Sequence, residues 1–123
     1  MGIIHRRKQE LGKALEYYDK AIKRRKNYLS ALTNAGYILV MQGEVDAGIA
    51  YYKEALDAKF DYHLGHYNLA CAYAMKRDKI NALSYLSHAV RLNKELAQQA
   101  MEDTDFEWIR NDSDFKKIIN QGK

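Results

Sequence analysis

The chain has 123 residues and a formal net charge of +4, with one cysteine and no proline. This length favours a single domain, because it is too short for a two-lobed enzyme but long enough to bury a core. A lone cysteine excludes a disulfide within the chain, and no stretch reaches the roughly 20 apolar residues that cross a bilayer. We therefore expect a cytoplasmic protein that has no membrane partner.

Positive charge is concentrated in the first quarter of the chain. Residues 1–28 hold nine of the 20 Lys and Arg residues but only three of the 16 acidic residues. Two interpretations remain open, a solvated basic helix with a connector at 23–26, or a surface that attracts an acidic partner or nucleic acid.

Apolar residues recur at the spacing of an α-helix along most of the chain, which predicts an all-α fold. Residues 44–57 illustrate the pattern, with one apolar stripe formed by Val45, Ile49, Tyr52 and Leu56. We predict helices over residues 1–8, 10–23, 29–41, 44–57, 63–75, 78–91 and 95–102. Neighbouring helices then form hairpins.

Several residue columns repeat at an interval of 34 positions. The segment EYYDKA at 16–21 returns as AYYKEA at 50–55 and as SYLSHA at 84–89. Small residues recur in register, with one such column formed by Ala14, Gly48 and Ala82 and another by Ala21, Ala55 and Ala89. Because small residues recur where two helix backbones approach closely, the interval predicts hairpins that pack in a common manner.

A helix–turn–helix unit of this length, with these columns, resembles the tetratricopeptide repeat family. The fullest matches are AGYILVMQGEVDAGIAYYKEAL and NLACAYAMKRDKINALSYLSHAV. The resemblance implies an all-α, right-handed superhelical stack of hairpins. Its parts would be a truncated first repeat at 1–28, repeats at 29–62 and 63–96, and C-terminal capping helices at 97–123.

The chain departs from the family pattern at the ends of its units. Lys26, Phe60 and Lys94 stand where the family usually has proline, which leaves open a continuous helix across 56–66. The truncated first repeat also leaves an apolar stripe under-covered, formed by Ile3, Ile4, Leu11 and Leu15. We expect this stripe to promote weak self-association.

Residues 103–119 depart from the interval but keep helical signals. Asp103 or Thr104 can cap a short helical turn, and Asp112 can cap a last helix. The final repeat of a stack needs a lid that is apolar inside and polar outside. We therefore predict that this segment is a lid and that Trp108 lies in the core.

No residue pattern indicates catalysis. The sequence lacks a Gly-rich phosphate loop and a nucleophile–base arrangement tied to a strand. His63, His66 and Cys71 could share one helix, but zinc would need further ligands, and a packing role for the cysteine is the simpler interpretation. We expect no enzymatic activity, no metal site and no cofactor.

The resemblance implies a concave groove, lined by the first helix of each hairpin, that holds a peptide. Carried over column by column, the predicted binding residues are Asn34, Tyr37, Met41, Tyr67, Asn68, Cys71 and Met75. The two asparagines would grip a peptide backbone through their amides, unless asparagine is simply common in that column. Few charges line these columns, which favours a partly apolar, uncharged protein or peptide partner of unknown identity.

Two other functions remain open. Related pentatricopeptide arrays bind RNA, and the basic first unit could do the same. Because the groove columns of the later units carry no Lys or Arg, we consider nucleic acid an unlikely partner. The chain could also be a structural spacer within a longer protein.

Overall fold

The computed structural model describes residues 12–20 and 28–122, and all regular structure in these ranges is helical. This confirms the predicted all-α class. The chain forms two compact units, Met1–Ala58 and Lys59–Lys123. Some predictions lie outside the described residues, namely the helix at 1–8, the connector at 23–26 and the contributions of Ile3, Ile4 and Leu11.

The first unit contains a helical stretch and a helical hairpin. Residues 12–20 are helical and are called α1. The hairpin consists of α2 (Tyr28–Met41) and α3 (Val45–Ala58). Its turn contains Gly43 at a φ of 87°, a conformation that glycine adopts without strain.

The two helices of this hairpin approach each other closely at glycines. A Cβ atom built at Gly48 would lie 2.5 Å from Cγ2 of Val40 and 2.7 Å from the carbonyl oxygen of Gly36. The neighbouring hole is filled by Tyr52, which is only 2% exposed. Gly48 therefore has the packing role that was predicted for its small-residue column.

The second unit contains a second hairpin followed by shorter helices. The hairpin consists of α4 (His63–Met75) and α5 (Lys79–Leu92), and α6 (Glu95–Glu102) follows it. Residues 59–62 are not helical, so a continuous helix across 56–66 is excluded. Among the described residues, no helix combines the length and the apolar character that spanning a membrane requires.

A C-terminal lid closes the core of this unit. It consists of a 3₁₀ helix (Thr104–Ile109) and α7 (Ser113–Gln121). The predicted caps are confirmed, since Asp103 accepts a hydrogen bond from the backbone N–H of Asp105, and Asp112 accepts two from the first turn of α7. Phe106 and Phe115 are fully buried with ring centroids 5.9 Å apart, which confirms the apolar inner side.

The prediction that Trp108 lies in the core is wrong. Phe106 is 0% exposed and Ile109 is 4% exposed, whereas Trp108 is 36% exposed. A 3₁₀ helix has three residues per turn, so residues 106 and 109 share its inner side and residue 108 falls off it. The Trp108 ring instead lies 5.1 Å from the guanidinium carbon of Arg77, in a cation–π contact.

Candidate functional site

Three of the predicted binding residues form an exposed stripe on α2. Asn34, Tyr37 and Met41 are spaced i, i+3 and i+7, so they lie along one face of the helix. Tyr37 is 58% exposed and Met41 is 62% exposed, and Asn34 is also exposed. The side-chain amide of Asn34 donates one long hydrogen bond, 3.5 Å, to the hydroxyl of Ser30. We call Ser30, Asn34, Tyr37 and Met41 together the α2 face.

The α2 face lies away from the side that α2 buries within its own hairpin. The buried side includes Leu32, Ala35 and Gly36, which are almost inaccessible to solvent. Packing within the hairpin therefore does not account for the tyrosine and the methionine of the α2 face. Exposed large apolar side chains that adjoin one another are characteristic of surfaces that bind other molecules.

The equivalent face of α4 is partly covered by the lid. The hydroxyl of Tyr67 donates a 2.8 Å hydrogen bond to Oδ2 of Asp103, and the Cys71 thiol lies 3.6 Å from the same oxygen. The ring of Phe106 packs against that of Tyr67 in a T-shaped arrangement, with centroids 6.0 Å apart. Tyr67 is only 4% exposed and Cys71 is half-buried.

This contact corrects the expectation that Tyr67 and Cys71 face an open groove. Both side chains are occupied by the lid of their own chain. Asn68 is half-buried, and Met75 is 41% exposed, so these two predicted residues remain accessible. The sequence indicated Asp103 as a helix cap, a role that uses only one of its two carboxylate oxygens. The spacing of residues in the sequence indicated no partner for the other oxygen.

The Tyr67–Cys71–Asp103 cluster is a hydrogen-bond network of protonated donors around one carboxylate. Burial raises the pKa of the Tyr67 hydroxyl, and Cys71 and Asp103 add to the effect. Burial also raises the pKa of the Cys71 thiol, with the charge of Asp103 as the next cause. Asp105 lies nearby, and its pKa is raised by burial and by Asp103.

These groups also form the one cluster of potential metal ligands within the described part of the chain. The thiol of Cys71 and the carboxylates of Asp103 and Asp105 offer atoms within 4.8 Å of one another. These are three potential ligands, one fewer than the four of a closed structural zinc site. Neither His63 nor His66 belongs to this cluster.

His66 has a structural role instead. It is 3% exposed, and its Nε2 lies 2.8 Å from the carbonyl oxygen of Phe60. Because a carbonyl only accepts, Nε2 carries the proton. The His66 ring also lies 5.3 Å from that of His88, and burial together with His66 lowers the pKa of His88. These contacts hold the segment before α4 against the hairpin.

Comparison with known protein families gives a match. The sequence profile of the family described as "Tetratricopeptide repeat" matches residues 1–28 and residues 29–62, which together make up just over half of the chain. The comparison with curated proteins finds no match.

Proposed function

The chain belongs to the tetratricopeptide repeat family, and from this premise we propose that it is a protein-interaction module whose α2 face binds a peptide segment of a partner protein. Repeats of this family are generally protein–protein interaction modules and typically non-enzymatic. The family therefore supports a protein partner in general, and the α2 face supports the more specific proposal.

The observation that carries the proposal is the exposure of Tyr37 and Met41 beside Asn34. The two large side chains offer apolar area that a partner can remove from water. The amide of Asn34 has both donors and an acceptor, which suits the groups of a peptide backbone. Methionine is unbranched and polarizable, so Met41 can adapt to ligand side chains of different shapes.

The chemistry of the α2 face favours an uncharged, partly apolar ligand. Its members are two polar neutral residues, Ser30 and Asn34, and two large residues that carry no charge, Tyr37 and Met41. A strongly charged peptide would lose hydration there without gaining an ionic partner. Within the second unit, we propose Asn68 and Met75 of α4 as peptide-contacting residues, and we exclude Tyr67 and Cys71 because the lid engages them.

Peptide selection against the full chain tests this proposal. Uncharged peptides selected by phage display would be measured for affinity against the wild type, Tyr37→Ala and Asn34→Ala. We expect each variant to weaken binding, with Tyr37→Ala weakening it by at least about tenfold, as truncation of an aromatic anchor does. Tyr17→Ala is the matched control, since Tyr17 is 69% exposed on α1. Equal affinity for the wild type and Tyr37→Ala would refute the proposal.

Salt dependence separates this function from RNA binding. Binding of an apolar, uncharged peptide should change little between low and moderate salt, whereas RNA binding weakens steeply as phosphate contacts are screened. Weak self-association through the first repeat stays a separate prediction. Light scattering at high protein concentration tests it, and a strictly monomeric chain would contradict it.

A further inference from the structure

The second unit has a groove between α6 and α7 that the proposed function does not use. Its volume is about 300 Å³. Phe115 and Ile119 form its floor and are nearly buried, and Met101 at its edge is 40% exposed. A groove of this size is at the lower end of the range for ligand sites, which suits one or two side chains rather than a cofactor.

The charged residues that line the groove are both positive. Arg110 and Lys116 line it together with Asn111 and Asn120, and no acidic residue does. The Nε of Arg110 is buried and has no hydrogen-bond partner. Buried donors are almost always paired, so this nitrogen is a donor for which the described part of the chain supplies no acceptor.

The acid next along the chain is already engaged. Asp112 forms an ion pair with Lys79 and accepts hydrogen bonds from the backbone N–H groups of Asp114 and Phe115. Its carboxylate therefore holds α7 against α5. Asp112 is therefore engaged away from Arg110.

We propose that this groove binds a short acidic segment of a partner protein, independently of the α2 face. A carboxylate of that segment accepts a hydrogen bond from Arg110 and pairs with Lys116, since charge-assisted bonds of this kind are the strong ones. An adjacent apolar side chain of the segment covers Met101. The amides of Asn111 and Asn120 lie at the same groove and can bond the backbone of the segment. The apolar floor favours such a peptide over a nucleic acid, whose phosphates would leave that floor uncovered.

An array of short peptides probed with the full chain tests the inference. Each peptide carries Asp or Glu beside an apolar residue, and each has a counterpart in which Asn or Gln replaces the acid. We expect the bound peptides to be acidic ones and their amide counterparts to bind at least about tenfold more weakly. Equal binding of both members of each pair, or no binding by any acidic peptide, would overturn the inference.

Charge variants then locate the site. Lys116→Gln should weaken the best acidic peptide several-fold, and Lys117→Gln should leave it unchanged, because Lys117 is the next residue on α7 but does not line the groove. Arg110→Gln should weaken it further, provided that circular dichroism shows a folded chain. If the Arg110 variant does not fold, the Lys116→Gln variant alone decides the test, because Lys116 is exposed and its substitution should not disturb the fold. Equal losses of peptide affinity in Lys116→Gln and Lys117→Gln would indicate non-specific charge attraction and overturn the inference. Displacement of the peptide by oligouridylate would indicate nucleic-acid binding and would also overturn it.

Discussion

The hydroxyl of Tyr67, in the middle of α4, donates a 2.8 Å hydrogen bond to the carboxylate of Asp103, the residue that caps the 3₁₀ helix of the lid. One carboxylate therefore performs two tasks, since its Oδ1 caps the lid and its Oδ2 receives Tyr67. This bond joins the lid to the face of α4 that the family resemblance assigns to ligand binding. It accounts for the difference between the exposed α2 face and the covered part of α4.

Removing the Tyr67 hydroxyl should destabilise the chain. Tyr67→Phe deprives a partly buried carboxylate of its closest donor, and we expect the free energy of unfolding to fall by about 1–3 kcal/mol. Urea denaturation measures this change. Tyr85→Phe is the control, because its ring stack with Tyr73 at 5.6 Å does not need the hydroxyl. Equal losses in the two variants would show that the bond to Asp103 has no special role.

Cys71 should react slowly with alkylating reagents. The thiolate is the reactive form, and burial and Asp103 raise the pKa of the thiol, so little thiolate exists at neutral pH. We expect the rate of reaction with iodoacetamide to rise only at a pH well above the range of an ordinary thiol. Asp103→Asn removes a negative charge and should shift this pH profile downward. A wild-type profile like that of a free thiol would contradict the account.

Adding a methyl group at the helix crossing of the first hairpin should force its helices apart. We expect Gly48→Ala to cost about 1–3 kcal/mol, because the new Cβ meets both a side chain and the backbone of α2. Gly12→Ala is the matched control in α1, where a Cβ has no neighbour within 4 Å. The control should be neutral or stabilising by up to about 1 kcal/mol. Thermal unfolding compares the stabilities of the two variants. If Gly48→Ala left the stability unchanged, the close approach of α2 and α3 would be disproved.

Arg77 occupies a backbone conformation that favours glycine. Its φ is 61°, and its guanidinium lies over Trp108. Arg77→Ala loses the cation–π contact and keeps the strained backbone, whereas Arg77→Gly loses the contact and relieves the strain. We therefore expect the glycine variant to be more stable than the alanine variant by about 1 kcal/mol. Denaturant titration of the two variants measures this difference in stability. If Arg77→Ala were the more stable variant, the backbone at residue 77 would not be strained.

Local patterns accounted for most of the fold. The predicted bounds of α4 and α6 agree with the structure, because apolar spacing and breaking residues act over a few positions. The burial of Ala55 and Ala89 also follows from the 34-residue interval. Sequence periodicity therefore predicts which sides of these helices face their own hairpin.

Contacts between the lid and α4 could not be predicted in this way. Tyr67 and Asp103 are 36 positions apart, and no repeated column relates them. The exposure of Trp108 likewise depends on a 3₁₀ helix, whose period of three the α-helical pattern did not anticipate. The sequence thus predicted the helices that carry the candidate residues, but not which of those residues the lid would cover.

The most direct test of the central claim is to map a selected uncharged peptide onto the chain by NMR. The methyl resonance of Met41 and the ring resonances of Tyr37 should shift as the peptide is added, while those of Tyr17 remain in place. This result would identify the α2 face as the binding surface. Shifts that leave Met41 and Tyr37 unchanged while the peptide binds elsewhere would contradict the account.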